Sequence, residues 1–259
     1  MTEMVRIQKL LAGWGIASRR AIEEWIASGR IEIDGEKLLS QGLLIDPDHP
    51  PVIKIDGKLV KKPADRKPAI YVLHKPANIV STMSDELGRK SIKDILPPGR
   101  RLYPVGRLDM DSTGLLLVTD NGELTNRLLH PSFKVEKEYV VRIEGATLNR
   151  EEKTRFRQGI ELEEGKTAPC TLIQHKDPQL FTVILREGKK RQIKRMFEML
   201  DRKVVQLHRI RFGPIKLGNL KPGQMRQLTA AETGELMKEA GLAPRKPVNS
   251  ARTPRRRER

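Results

Sequence analysis

Three side chains in this sequence could carry out chemistry, and each lies in a different kind of predicted element. Asp109 follows Gly106-Arg107-Leu108 in a short polar turn, which runs directly into the aliphatic segment Leu115 to Val118. Such a turn holds a polar side chain at the rim of a buried strand. Tyr139 lies in a predicted strand and Lys194 in a predicted helix. A carboxylate can act as a base or nucleophile, and a phenol can take or relay a proton.

The sequence offers no other recognisable reactive site. It has no Gly-rich phosphate loop ending in Lys-Ser/Thr, and its single cysteine, Cys170, excludes an internal disulfide and a multi-cysteine metal cluster. The five histidines are too dispersed for a zinc motif or a sequence-level triad. They are His49, His74, His130, His175 and His208. Nothing in the sequence therefore calls for a cofactor or a metal.

Each of the three side chains also has a purely structural interpretation. Asp109 could form an Asx turn, Tyr139 could place its ring in the core, and Lys194 could lie on a solvated helix face. Asp111, two residues after Asp109, is the nearest competing carboxylate. We expect Asp111 to hold the turn through hydrogen bonds to the backbone.

The composition favours a polyanionic partner. Lys and Arg number 50 against 33 Asp and Glu, which gives a formal net charge of +17. A field of this sign attracts nucleic acid, and no basic amphipathic helix with an aromatic apolar face points to a membrane. No N-terminal apolar segment precedes a cleavage site, so we expect a soluble, cytoplasmic protein.

The first 60 residues predict two helices and a short sheet. Ile7, Leu10 and Leu11 recur at helical spacing, Ser18 can cap a second helix, and Asp34-Gly35 is a hairpin turn signal. This region resembles the RNA-binding domain named after ribosomal protein S4. The matching segments are Arg6-Ile7-Gln8-Lys9-Leu10-Leu11-Ala12, Ala17-Ser18-Arg19-Arg20, Gly29-Arg30-Ile31 and Asp34-Gly35.

Four basic residues cluster near the junction of these two predicted helices: Arg6, Lys9, Arg19 and Arg20. Solvation alone could explain them. Within an S4-like domain, we instead expect them to contact RNA phosphates.

The chain divides into four segments. We predict an S4-like RNA-binding domain over residues 1–60, a linker over 61–68, a catalytic domain over 69–243 and a tail over 244–259. The linker is basic and punctuated by prolines. The tail is dominated by Arg and Lys, so we expect it to be disordered and to add non-specific, salt-sensitive affinity.

The larger segment interleaves many short strands with a few helices, without the regular alternation of a doubly wound fold, so we predict the α+β class. Predicted strands include 135–143, 160–162, 170–175, 181–185 and 204–212. The helix after Gln192 has an apolar face and a neighbouring cationic stripe. The apolar face contains Ile193, Met196, Phe197 and Leu200, and the cationic stripe contains Arg191, Lys194 and Arg195.

Five motifs in this larger segment, in the same order, are similar to those of RsuA/RluB-type ribosomal RNA pseudouridine synthases. They are Lys75-Pro76, Gly106-Arg107-Leu108-Asp109 with Thr113-Gly114-Leu115-Leu116-Leu117, Lys137-Glu138-Tyr139, Glu187-Gly188-Lys189-Lys190-Arg191-Gln192-Ile193-Lys194-Arg195-Met196, and Arg211-Phe212-Gly213-Pro214-Ile215. Lys190-Arg191 departs slightly from the Asn or Tyr, then Arg or His, of many relatives, which leaves the substrate open. The resemblance implies a mixed, mainly antiparallel sheet flanked by helices.

The resemblance also implies a reaction and residue roles. The N1–C1′ bond of a uridine breaks, the base turns, and C5 bonds to C1′, with no cofactor consumed. Asp109 matches the aspartate that initiates cleavage, Tyr139 the tyrosine that stacks on the uracil, and Lys194 the basic residue that pairs with the aspartate. Arg107 matches a residue that fills the space of the extruded nucleotide or holds a neighbouring phosphate.

We therefore expect a monomeric pseudouridine synthase that acts on ribosomal RNA or an assembling subunit, with the large-subunit RNA preferred. Arg191 and Arg195 are expected to add to RNA binding. The alternatives are a small-subunit rRNA synthase and a non-catalytic RNA-binding assembly factor.

Overall fold

The computed structural model describes residues 3–63 and 68–242. The predicted tail over 244–259 and part of the predicted linker over 61–68 lie outside these described residues. No helix in the described part of the chain is both long and apolar enough to span a bilayer.

The N-terminal region contains two helices and short strands around a small core. Its elements are β1 Val5–Arg6, α1 Ile7–Gly13, α2 Arg19–Ala27, β2 Ile31–Ile33, β3 Glu36–Lys37, β4 Leu44–Ile45, β5 Ile53–Ile55 and β6 Lys58–Leu59. Four strands form one sheet in the order β3-β2-β5-β6, and β1 pairs with β4. The helices and strands share a core built from Ile7, Leu10, Leu11, Ile22, Ile26, Ile31, Ile45 and Ile53.

Two local signals in this region have their expected effect. The Ser18 hydroxyl accepts a hydrogen bond from the Ala21 amide at 3.0 Å, which caps α2. Asp34 and Gly35 both have positive φ, at 50° and 92°, and join the antiparallel strands β2 and β3. This is the backbone that a two-residue hairpin turn requires, and it explains the Asp-Gly pair.

The rest of the described chain forms a nine-stranded sheet with helices. Its elements are β7 Ile70–Lys75, β8 Tyr103–Pro104, β9 Thr113–Thr119, α3 Gly122–Leu129, β10 Lys137–Glu144, α4 Arg150–Gln158, β11 Thr171–Gln174, β12 Leu180–Leu185, α5 Gln192–Glu198, β13 Lys203–Phe212, β14 Ile215–Lys216, β15 Met225–Gln227 and α6 Ala230–Glu239. The main strand order is β11-β12-β10-β13-β9-β7-β15, while β14 pairs with β13 and β8 with β9. Only β9 and β13 run parallel among the described strand pairs of this sheet, so the predicted α+β class with a mixed, mainly antiparallel sheet is confirmed.

β9 lies between two apolar layers, which explains its continuous run of aliphatic residues. Leu115 and Leu117 belong to one core cluster, and Leu116 and Val118 belong to another on the opposite face. All four side chains are fully buried. A strand buried on both faces needs apolar residues at successive positions rather than alternation.

Two predicted features of this region are wrong. Residues 160–162 do not form a strand; the Ile160 amide and carbonyl instead bond to Thr167, and the apolar side chains of Ile160 and Leu162 are buried in a loop. Lys194 does not belong to a solvated cationic stripe, since it is buried with the apolar face of α5.

Candidate active site

The turn that carries Asp109 is fixed from two sides. The Ser112 amide donates to the Asp109 carbonyl at 3.1 Å and closes the turn. Leu108, the residue before Asp109, is held by Ser81. The Ser81 hydroxyl donates to the Leu108 carbonyl at 2.7 Å and accepts from the Leu108 amide at 3.1 Å. One hydroxyl therefore satisfies both backbone groups of Leu108 and holds the backbone directly before Asp109.

Lys75, the last residue of β7, holds the same turn through hydrogen bonds to backbone carbonyls. Its side chain is fully buried, and its Nζ donates to the carbonyls of Pro76 at 3.0 Å, Met110 at 3.2 Å and Ser112 at 2.8 Å. Burial lowers the pKa of Lys75 to about 8, and the charges of Asp111 and Asp109 act in the opposite direction. The ammonium thus ties two turn residues to the end of the neighbouring strand.

Asp109 is half-buried at a cleft of about 600 Å³. The cleft is lined by residues of the segments 80–89 and 107–110, including the exposed Arg107. Across residues 3–63 and 68–242, the Asp109 carboxylate has no hydrogen-bond or ion-pair partner. It therefore does not form the Asx turn that was its structural interpretation, and its oxygens remain available to a ligand.

The expected pairing of Lys194 with Asp109 is wrong. Lys194 Nζ instead contacts both carboxylate oxygens of Asp111, each at 2.5 Å. Only 6% of the Lys194 side chain is exposed, against 61% for Asp111. Partial burial acts to raise the pKa of Asp111, but the hydrogen bond and charge of Lys194 outweigh it and leave that pKa below its usual range.

This pairing also changes the expected role of Asp111. The expected hydrogen bond to the backbone is present, since the Asp111 carboxylate accepts from its own amide, but Lys194 of α5 is its main partner. Ser112 Oγ contacts the same carboxylate at 3.4 Å. Asp111 therefore links the turn to α5, 83 residues away in the sequence.

Tyr139 lies on β10 beside Arg209 of β13. Its half-buried ring packs against both core clusters that meet there, one of which contains Leu108. Arg209 Nη1 lies 3.4 Å from the Tyr139 hydroxyl, and the guanidinium carbon is 5.9 Å from the ring centroid. Tyr139 and Lys194 do not line the cleft at Asp109, although Lys194 reaches the same turn through Asp111.

The basic residues expected to bind RNA differ in whether acidic side chains already occupy them. Arg191 contacts Glu198 at 3.4 Å, and Arg195 forms a two-point contact with Glu164. By contrast, five of these residues are exposed and have no acidic partner in the part of the chain that the structure describes. They are Arg6, Lys9, Arg19, Arg20 and Arg107.

The site contains buried groups whose importance the sequence analysis missed. In the sequence, Lys75 stands out only within the Lys75-Pro76 motif, and no local pattern marks Ser81 or Arg209 as functional. Apart from that motif, the sequence signal for Lys75 is a polar residue at the end of an apolar strand, and neither signal reveals which atoms the side chain binds. Among the described residues, no group of three or more His, Cys, Asp or Glu side chains is arranged to hold a metal ion.

Two models of known protein families match this chain. The model for the RNA pseudouridylate synthase family matches residues 69–199, and the S4 domain model matches residues 5–49. The chain belongs to the RNA pseudouridine synthase family. It is therefore an isomerase, and the family predicted from the five motifs and the S4-like segment is confirmed.

Individual relatives cover almost the whole chain. It is 39% identical to a protein of Aquifex aeolicus named "Uncharacterized RNA pseudouridine synthase", over 93% of this chain and 98% of that protein. It is 35% identical to "Ribosomal large subunit pseudouridine synthase B" of Bacillus subtilis, over 90% of this chain and 96% of the relative. A solved structure described as "Crystal structure of pseudouridylate synthase" aligns with a TM-score of 0.65 at 29% identity, covering 90% of this chain and 99% of that one.

Proposed function

We propose that this enzyme converts a specific uridine of large-subunit ribosomal RNA to pseudouridine, with Asp109 as the residue that starts the reaction. The observation that carries the proposal is the unpaired Asp109 carboxylate at the cleft, on a turn that Ser81 and Lys75 hold in place. A fixed carboxylate without a protein partner is free to act on the sugar or the base. The printed name of the Bacillus subtilis relative supports the choice of large-subunit RNA.

Tyr139 and Lys194 have different roles in this proposal. Tyr139 stacks on the uracil and takes or relays the C5 proton. Lys194 acts as a positioning residue, because it holds Asp111 and thereby the turn on which Asp109 lies. This indirect role of Lys194 takes the place of the expected direct contact with the Asp109 carboxylate.

The target nucleotide must leave its helix or loop to reach Asp109, at a cost of a few kcal/mol. We propose that Arg107, exposed on the same cleft, fills the vacated space or holds the adjacent phosphate. Arg6, Lys9, Arg19 and Arg20 contact RNA phosphates from the N-terminal region, and Arg191 and Arg195 add to the basic surface.

We further propose that residues 1–60 bind RNA as one domain, joined through 61–68 to the catalytic domain over 69–243, and that the enzyme acts as a cytoplasmic monomer. The separate core cluster of the N-terminal region supports this division. Light scattering with and without RNA measures the oligomeric state, and the mass of a dimer would contradict the proposed monomer.

Tritium release tests the reaction. RNA labelled at uridine C5 is prepared from cells that lack the protein and is incubated with the purified enzyme. Release of label shows that the C5–H bond opened, and absence of release from every cellular RNA would favour a non-catalytic assembly factor.

A mapping experiment then identifies the substrate. Carbodiimide modification followed by primer extension, in strains with and without the protein, locates the pseudouridine. A site in large-subunit RNA supports the proposal, whereas a site in small-subunit RNA would replace the substrate but leave the chemistry unchanged.

A further inference from the structure

Arg209 is a buried cation at the centre of the large sheet. Only 3% of the residue is exposed, and its Nε donates to the Leu115 carbonyl at 2.6 Å. Its neighbour on the parallel strand is Gly114, where a Cβ would lie 2.2 Å from the Arg209 carbonyl oxygen. The glycine therefore allows the backbone of β13 to approach the strand that follows the Asp109 turn.

The surroundings of Arg209 differ from those of Arg211, two residues further along the same strand. Arg211 Nε contacts Glu138 at 2.6 Å, and its Nη2 contacts Glu136 at 3.0 Å. Arg209 has no carboxylate partner among residues 3–63 and 68–242, and its buried Nη2 has no hydrogen-bond partner there. The Nε and Nη1 of Arg209 have partners, so Nη2 is the one donor of this guanidinium left over among the described residues. An unpaired buried donor is costly, and a ligand that accepts from it would remove that cost.

Aromatic rings and other cations surround this unpaired donor. The guanidinium lies 5.9 Å from the Tyr139 ring centroid and 5.3 Å from that of Phe212. Burial lowers the pKa of both Lys75 and Lys137 to about 8, and the charge of Arg209 contributes to the lowering. The carboxylates of Asp109 and Asp111 act on Lys75, and that of Glu187 acts on Lys137, in the opposite direction. A guanidinium next to an aromatic ring favours a flat ligand that carries or develops negative charge.

We propose that Arg209 donates from Nη2 to a carbonyl oxygen of the target uracil and stabilises the negative charge that the base acquires when it separates from the ribose. This inference rests on the proposed function, since it places the uracil against Tyr139. It makes Arg209 a catalytic residue in addition to Asp109 and Tyr139.

The charge follows from the electron balance of the isomerisation. When the C1′–N1 bond breaks, its electron pair stays on the base and spreads from N1 to O2 and O4. The pair is used again when C5 bonds to C1′; C5 then loses its proton and N1 gains one. If Asp109 instead adds to the base first, the displaced pair also reaches O4, so each route places charge on an oxygen that a guanidinium can bind.

A phosphate is the other oxygen ligand with the right chemistry, but the position of Arg209 favours the base. Arg209 is buried within the sheet, whereas the exposed Arg107 lies on the open cleft. A flat uracil can stack on a tyrosine ring next to Arg209, while a charged backbone phosphate stays closer to solvent.

The first test separates chemistry from binding. Single-turnover tritium release with saturating enzyme and the Kd for RNA are measured for wild type, Arg209→Met, Arg209→Lys and the control Arg211→Met. Loss of the Arg209 charge should slow the chemical step about 100-fold, as when one preorganised donor is removed from an oxyanion site. Arg209→Lys should recover part of the rate, and the RNA Kd of both should stay within about threefold of wild type.

Arg211→Met removes an arginine that glutamates already occupy, so its chemical step should also stay within about threefold of wild type. A wild-type rate for Arg209→Met, or an equal loss in Arg211→Met, would overturn the inference. Melting curves identify any variant that does not fold, and Arg209→Lys then replaces Arg209→Met in the second test.

The second test uses the substrate. Synthetic RNA carries 2-thiouridine or 4-thiouridine at the target position, because sulfur is a weaker acceptor than oxygen, and nucleoside digestion followed by chromatography measures the product. One of the two substitutions should slow wild type about tenfold and have much less effect on the Arg209 variant, since the contact is already lost.

A third RNA has a methylphosphonate beside the target nucleotide. This neutral linkage could be the only substitution that slows wild type much more than the Arg209 variant. In that case Arg209 binds phosphate, and the proposed contact with the base is wrong. Equal effects in wild type and variant for all three RNAs would also refute it. The outcome is distinct from failure of the proposed function, in which wild-type enzyme would release no label from any RNA.

Discussion

Lys194 binds both carboxylate oxygens of Asp111 at 2.5 Å, while the Asp109 carboxylate in the same turn has no hydrogen-bond or ion-pair partner among the described residues. One turn therefore presents two carboxylates with different environments. The lysine neutralises the first, and the second remains open to the cleft. This difference allows the two aspartates to be distinguished by experiment.

Asp109→Asn should abolish turnover without removing RNA binding. Asparagine preserves the shape of the side chain but cannot serve as a base or nucleophile at this position, so we expect the rate to fall about 10⁴-fold. Tritium release and filter binding measure the two properties. Wild-type-like turnover would remove Asp109 from the reaction.

Asp111→Asn is the matched control in the same turn. It removes the charge that Lys194 binds but leaves Asp109 in place, so turnover should fall only about tenfold through loss of positioning. If Asp111→Asn were as inactive as Asp109→Asn, the proposed division of roles between the two carboxylates would be wrong.

The contact between Lys194 and Asp111 should contribute to stability in an acid-dependent way. Asp111 is well exposed, so we expect a coupling energy of only about 0.5–1 kcal/mol in a double-mutant cycle with Lys194→Met and Asp111→Asn. Because the pKa of Asp111 is lowered in the folded protein, this contribution is present above its ordinary value of 3.8. It is lost as the pH falls through the lower folded value.

Urea unfolding of the four proteins of this cycle at pH 7 and at pH 3 measures the coupling. A coupling energy at pH 3 that equals or exceeds the value at pH 7 would contradict this prediction.

Lys75→Met should destabilise the turn and remove part of the pH dependence of unfolding. Three backbone carbonyls lose their donor, at about 1–3 kcal/mol for each acceptor that stays buried and unpaired. The pKa of Lys75 is about 8 in the folded protein, against an ordinary value of 10.5 in the unfolded chain. Between these two pH values the unfolded chain therefore binds more protons than the folded protein. The Lys75 contribution to the free energy of unfolding therefore rises with pH in this window.

The difference between wild type and Lys75→Met isolates this contribution from other groups that titrate at high pH. Lys137, whose pKa is also about 8, is the natural comparison because its Nζ contacts a ring rather than the turn. If the wild-type minus Lys75→Met difference did not change between pH 8 and pH 10, the lowered pKa of Lys75 would be refuted.

The exposed basic cluster of the N-terminal region should govern the salt dependence of RNA binding. Arg19→Gln and Arg20→Gln should each reduce the slope of log K against log salt by about 1, if each contacts one phosphate. Arg30→Gln is the control, because Arg30 already contacts Asp56 at 2.6 Å. Equal slopes for all three variants and wild type would contradict a phosphate contact.

Gly114→Ala should be much more harmful than Gly145→Ala. Both glycines have positive φ, at 106° and 90°, but a Cβ on Gly114 would meet the Arg209 backbone, whereas one on Gly145 would meet nothing within 4 Å. We expect about 1–2 kcal/mol of backbone strain at Gly145 and several kcal/mol at Gly114. Denaturant midpoints of the two proteins make the comparison, and similar midpoints would show that the close approach is not required.

Much of the architecture could be predicted because its signals are local. The spacing of Ile193, Met196 and Phe197 indicates which face of α5 is buried, and the Asp34-Gly35 pair indicates a turn with positive φ. The continuous aliphatic run of β9 indicates a strand covered on both faces. These features depend on residues a few positions apart, so periodicity and backbone preference are sufficient to identify them.

The sequence by itself determined the family, the turn with its two carboxylates and the chemical types available to the site. Only the tertiary structure decided that Lys194 binds Asp111 rather than Asp109, since both aspartates have the same chemistry and lie two residues apart. It also decided that Lys75 binds the turn and that Arg209 has an unpaired donor beside Tyr139. The physical reason is that these contacts join separate strands and helices, so they depend on the orientation of each element and on which charges burial leaves uncompensated.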